Sequence, residues 1–113
     1  MRSDRERLLD ILEAIKKIEK YSEKGQDFFQ RDELVQVWAI HFLQIIGEAS
    51  SGLSKDFLIL HPEIAWREII AMRNILVHTY FSLDLDEIWS AIETDLPVLS
   101  NAVLKILHDE SLE

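Results

Sequence analysis

Apolar residues recur at intervals of three and four along most of this chain, the period of helices that hide one face. Leu8, Ile11, Leu12, Ile15 and Ile18 predict a helix over 4–23. Ser3 and Glu6 have the spacing of a capping box, in which each side chain satisfies a backbone donor at the helix start. Gly25 reads as the residue that closes this helix, and 26–30 as a connection. A second helix is predicted over 32–50, where Leu34, Val35, Val37, Trp38, Ile40, Phe42, Leu43, Ile45 and Ile46 cover most of the circumference. A helix apolar nearly all round is covered on more than one side. In so small a domain one of those sides is expected to be a subunit interface. Gly47 inside that run costs helix stability, which a close approach of another backbone offsets.

The pattern continues with a short helix over 54–60 capped by Ser54. Pro62 suits a first helical turn, and Ala65, Ile69, Met72 and Leu76 make the core stripe of a third helix over 63–79. A fourth is predicted over 85–108, with Asp84 and Glu87 as capping groups. Pro97 falls inside it and must kink or divide it, because it lacks a backbone donor and clashes with the preceding turn. Helices two and three are expected at the centre of the bundle.

Composition sharpens this picture. With only 3 glycines and 2 prolines in 113 residues, the chain is poor in the residues that sheet turns need. The fold class is therefore all-α, in a single domain over 1–113. There is no cysteine, which excludes disulfides and thiolate metal sites. No apolar run reaches the ~18–20 residues of a membrane span, and the charged N-terminus has no apolar signal core; a cytoplasmic protein is expected. The net charge of −9 argues against broad binding to phosphate backbones. Basic residues are also lopsided: beyond Lys55 only Arg67, Arg73 and Lys105 remain. An arginine in that acidic half needs its own explanation.

The candidate chemistry lies in Arg73-Asn74-Ile75-Leu76-Val77-His78-Thr79-Tyr80. On a helix, Asn74 and His78 are neighbours on one face, while Arg73 and His78 stand about 140° apart. The two border one cleft if the helix frays near His78, or if a second subunit packs along this edge. An arginine holds a phosphate in fork geometry and offsets charge in the transition state. A histidine moves a proton to or from a ribose 2′-hydroxyl or the leaving oxygen. Such chemistry requires no metal. The structural alternative pairs Arg73 with an acid such as Glu68 or Glu48 and uses His78 as a helix cap.

Arg73-x4-His78-x-Tyr80 resembles the signature of the HEPN superfamily, specifically its HepT-like toxin branch. Gly47-Glu48-Ala49, the stretch from Trp66 to Met72, Asp86-Glu87-Ile88-Trp89 and Leu96-Pro97 resemble the same branch. The resemblance spans residues 5–107. It implies a four- to five-helix bundle forming a two-fold homodimer, with a metal-independent endoribonuclease site shared between protomers and no cofactor. Arg73 and His78 occupy the catalytic positions, with Asn74 as a helper. It further implies the toxin of a type II toxin-antitoxin system, whose partner is a small MntA-like nucleotidyltransferase that transfers AMP to Tyr80.

Other signals carry less. Asp84-Leu85-Asp86 has the form of a nucleotidyltransferase fragment, but the upstream Gly-Ser element is missing and helix capping explains it. His41 reads as a hydrogen-bonded core or interface histidine, His61 as a turn residue and His108 as part of a terminal turn. No two histidines have metal-ligand spacing. Trp38, Trp66 and Trp89 read as core or interface. Glu48 is divided between a core-facing salt bridge and support for Arg73. Two rival functions stand beside the toxin: a non-catalytic nucleotide- or partner-binding module working with a nucleotidyltransferase, which would not need Arg73, His78 and Tyr80 together, and a plain helical scaffold.

Overall fold

The computed structural model describes the backbone of residues 2–78 and 84–111, and the side chains of 2–72 and 84–109. The described residues form helices and connections, with no strand among them. The elements are α1 (Asp4–Ser22), α2 (Gln26–Arg31), α3 (Glu33–Ser51), α4 (Lys55–Leu60), α5 (Trp66–His78), α6 (Leu85–Ser90), a π-helical turn (Ala91–Asp95) and α7 (Leu96–Ser111). This is the all-α HEPN-type bundle expected from the sequence.

Each long helix starts where local chemistry dictates. The hydroxyl of Ser3 accepts from Glu6 N at 3.1 Å, and the Ser3 N–H donates to the Glu6 carboxylate at 3.1 Å. The Ser3 backbone donor, then its hydroxyl, hold the Glu6 carboxyl below its usual range. That contribution is present at neutral pH and fades as acid protonates Glu6. Asp32 caps α3 through Val35 N at 3.1 Å, Ser54 caps α4 through Phe57 N at 3.2 Å, and Asp84 caps α6 through Asp86 N at 2.9 Å.

α3 is the centre of the bundle and packs against both α1 and α5, while α7 packs against α1. Leu8, Ile11, Leu43, Ile46 and Val103 are completely enclosed at 0 % exposure. Each such side chain stabilises the fold by about 1.5–3 kcal/mol through burial. α5 packs chiefly on α3, so of the two helices expected at the centre only α3 is there. Between α5 and α7 runs an apolar groove of about 420 Å³, with Leu43 and Ile46 of α3 and Glu68, Ile69 and Met72 of α5 among its lining.

Three elements depart from the sequence reading. Residues 26–30 are not a bare connection but belong to α2, which buries Phe29 against Trp89, ring centroids 5.5 Å apart. A six-residue helix has too few turns to show a period. The Gln30 amide also donates to Asp86 of α6. Gly25 sits three residues beyond Ser22, the last residue of α1, whose C-cap is Glu23, and is the N-cap of α2 with φ +95°. Nothing lies within 4 Å of a Cβ placed there, so Gly25→Ala tests backbone strain alone. It should lower stability by about 1–2 kcal/mol, read by thermal unfolding; an unchanged melting temperature would show that the turn relaxes freely.

The third helix begins at Trp66, not at 63. His61 precedes a proline and is thereby kept out of helical geometry; it adopts φ −125°, ψ 61°. The Trp66 indole N–H then reaches back to His61 O at 3.0 Å and closes residues 61–65 as a turn. Pro97 does divide the last helix. The strain is taken up just ahead of it, where Ala91–Asp95 widen into a π turn. A π turn removes the conflict between the proline ring and the carbonyl four residues earlier.

Candidate active site

The direction of α5 follows from its first residue. Phe57 of α4 and Trp66 pack ring to ring at 5.9 Å, and Ser54 at the head of α4 lies just past the end of α3. Trp66 is thus held beside the C-terminal end of α3, and α5 runs back antiparallel to it. Ile69 and Met72 of α5 line the same groove as Leu43 and Ile46 of α3.

Arg73, Asn74 and His78 all lie in the last two turns of α5, and the helix is intact through His78. Fraying before His78 is therefore not what unites Arg73 with His78. Within one chain they stand about 140° apart around the axis and about 7.5 Å along it, while Asn74 and His78 share a face. Counted at 100° per residue from the groove-lining positions Glu68, Ile69 and Met72, His78 lies about 130° away, Asn74 about 170° and Arg73 about 90°. Tyr80, the expected AMP acceptor, lies outside the described residues.

On the outer side of the α3–α1 pair is a recess of about 410 Å³ lined by Arg7, Asp10, Ile45, Glu48, Ala49, Ser51 and Gly52. Glu48 is exposed here, not core-facing. Glu68, offered as a partner for Arg73, is exposed on the groove wall and is in no ion pair among the described residues. Arg7 is the residue the sequence did not single out. Its guanidinium lies where a Cβ on Gly52 would be, 2.2 Å from Nη1, and its Nε is buried without a hydrogen-bond acceptor. Asp10, its neighbour in the recess, is held by Arg2 at 2.7 Å. Nothing in the spacing of Arg7 distinguishes it from the other bases of α1.

The residues set aside fall mostly as expected. The three indoles are built into the fold: Trp66 and Trp89 are buried and Trp38 half-buried. Trp38 donates to Lys17 O at 2.7 Å and Trp89 to Glu93 Oε2 at 2.9 Å. Asp84 spends its carboxylate on the start of α6. His61 pairs with Glu63 at 3.2 Å. His41 is not in the core. It is exposed on α3, its ring edge-on to Phe42 at 4.9 Å. Its own stripe explains why: Leu34, Val37 and His41 recur at helical spacing on the one side of α3 that neither α1 nor α5 covers, with Leu34 82 % and Val37 43 % exposed.

Comparison with known proteins bears directly on this arrangement. Residues 11–106 match the family described as Ribonuclease HepT-like. The chain belongs to the HepT-like ribonuclease family. It is 41% identical over 107 residues to the Probable ribonuclease HepT of Thermococcus cleftensis, covering 93% of this chain and 96% of that protein. It is 34% identical over 98 residues to a candidate RNase of Methanocaldococcus jannaschii, covering 85% of this chain and 89% of the relative. A further protein of that organism, described as a gamma-glutamylcyclotransferase and candidate RNase, is 37% identical over 100 residues, which span 88% of this chain but 45% of the relative. No solved structure matches the chain significantly. For a HepT-like chain the alignment spans α1 to α7, so the family relation covers the whole bundle and both flanks of α5. Among the described residues no helix is long and apolar enough to cross a membrane.

Proposed function

We propose that this chain is a metal-independent endoribonuclease acting in the cytoplasm as the toxin of a type II toxin-antitoxin system. The observation that carries the reading is the ordered sequence set Arg73, His78 and Tyr80, with Arg73 and His78 in the last two turns of α5, in a chain that matches the HepT-like ribonuclease family over residues 11–106. Arg73 holds the scissile phosphate and offsets its growing charge, His78 moves a proton at the 2′-hydroxyl or the leaving oxygen, and Asn74, one turn before His78, assists. A purely binding module has no use for that set, and a scaffold leaves Arg73 unexplained.

Two copies complete the site. The uncovered stripe of α3, Leu34 with Val37, is apolar. A two-fold axis along this stripe covers it with its own copy and brings both α5 ends to one cleft. Since Arg73 and His78 stand on different faces of a single helix, the second copy supplies the facing wall.

Control rests on Tyr80. A neighbouring MntA-like nucleotidyltransferase transfers AMP to its hydroxyl, placing a phosphate and a base beside Arg73 and excluding RNA. After co-expression with that partner, intact-mass analysis should show added AMP units that vanish in Tyr80→Phe. The unmodified chain should cleave RNA equally with and without chelator. Added mass on another residue, or silencing undiminished in Tyr80→Phe, would overturn the control mechanism; cleavage that needs a divalent ion would overturn the chemistry.

A further inference from the structure

α5 packs chiefly on α3, and α7 on α1 and the π turn, so these two outer helices leave a gap between them. That gap is the groove of about 420 Å³. Leu43 and Ile46 of α3, both fully enclosed, form its floor. Ile69 and Met72 stand on the α5 wall, with Val98 and Leu99 on the α7 wall. Val98 is 67 % exposed, and Ile69 and Met72 are only half-buried. Continuous apolar surface rimmed by charge marks a place that another molecule covers.

The rim of this groove has one sign. Glu63 borders it just before α5, Glu68 on α5 and Asp95 on the π turn, and among the described residues no lysine or arginine lines it. Glu63 is already shared between His61 at 3.2 Å and the charge of Lys105 on α7. Glu68 and Asp95 are exposed and, among the described residues, are in no ion pair or hydrogen bond. Two such carboxylates beside an apolar floor attract a cation that carries apolar groups with it. The shape selects a helix. An extended segment laid here would bury backbone donors and acceptors without partners, because no strand edge meets it among the described residues. A helix satisfies its own backbone and presents apolar anchors every third or fourth residue. Leu43 and Ile46 also lie about 120–180° around α3 from Leu34 and Val37. A second copy seated on that stripe therefore leaves the groove open.

We infer that the groove between α5 and α7 receives a basic amphipathic helix of a partner protein. The apolar face of that helix lies on Ile69, Met72 and Val98, and its lysines or arginines lie against Glu68 and Asp95. The apolar contact supplies the hold, and the two carboxylates select the sign of the partner.

The test is fluorescence anisotropy of two synthetic helical peptides titrated with the purified full-length chain. Both are about 15 residues long, with leucine at every third or fourth position; one carries lysine between the leucines and the other glutamate. The lysine peptide should bind and the glutamate peptide should not. Val98→Lys places a like charge in the groove and should weaken the lysine peptide about tenfold or more. Glu68→Lys combined with Asp95→Lys should reverse the preference between the two peptides. Leu60→Lys, at an equally exposed position on α4 outside the groove, should change nothing. All four positions are exposed, so the variants should unfold at the wild-type temperature. Failure of the lysine peptide to bind would overturn the inference. So would equal binding to wild type and Val98→Lys, which would show attraction to the acidic surface at large. A fall in the mass of the assembly in Val98→Lys, read by light scattering, would show that a second copy covers the groove and would also overturn it. The readout is binding and not cleavage, so each of these results leaves the ribonuclease reading standing.

Discussion

His78→Ala should abolish RNA cleavage while leaving the helical content unchanged. Losing a positioned proton-transfer group costs about 10²–10⁴ in rate, and alanine is the best helix former, so α5 should persist. Arg73→Ala should lose about 10²–10³ for a different reason, the removal of a fixed donor at the phosphate. Arg73→Lys should not restore it, because a point charge cannot reproduce the fork. Toxicity in cells should follow cleavage in the tube. Cleavage that persists in His78→Ala would remove the proposed mechanism, whatever the cell assay reports.

Leu43→Ala should be the most damaging single change to the fold away from the site. Leu43 is 0 % exposed on the central helix and faces the junction with α5 and α7. Truncating an enclosed leucine costs about 2–5 kcal/mol, combining lost transfer energy with the cavity left behind. Against a typical total of about 5–15 kcal/mol that is a large share, and the urea midpoint should fall accordingly. Leu34→Ala is the contrast: at 82 % exposure it removes little from the single chain. A Leu43→Ala loss below about 1 kcal/mol would mean that the neighbouring helices close over the gap.

The path from residues to site ran through two kinds of information. Helix starts were legible because caps are local: Ser3 with Glu6, Asp84 before Leu85 and Ser54 before Lys55 act on backbone groups two or three residues away. The stripe Leu8, Ile11, Ile15 and Ile18 was legible for the same reason, since phase repeats within a turn. The signature was legible in its order and spacing, and its meaning came from resemblance to a family; spacing alone favoured a salt bridge for Arg73.

The tertiary structure decided everything that depends on which side of a helix meets a neighbour. The segment over 32–50 is apolar nearly all round, so its sequence cannot say which face stays open. α1 and α5 cover two sides and leave Leu34, Val37 and His41 outside. His41 is thereby exposed in the single chain and not in its core. The start of α5 was likewise a long-range matter: Trp66 reaches His61 O and stacks on Phe57, and these contacts override the helix-starting preference of Pro62. The same holds for Asp4, which accepts from Ser54 N at 2.8 Å and Ser54 Oγ at 2.7 Å across 50 residues of chain. Local chemistry wrote the helices, because capping and periodicity act within a turn. The outward face of α3, with Leu34, Val37 and His41 on it, was set by packing, because only a neighbouring helix can choose between two equally apolar sides.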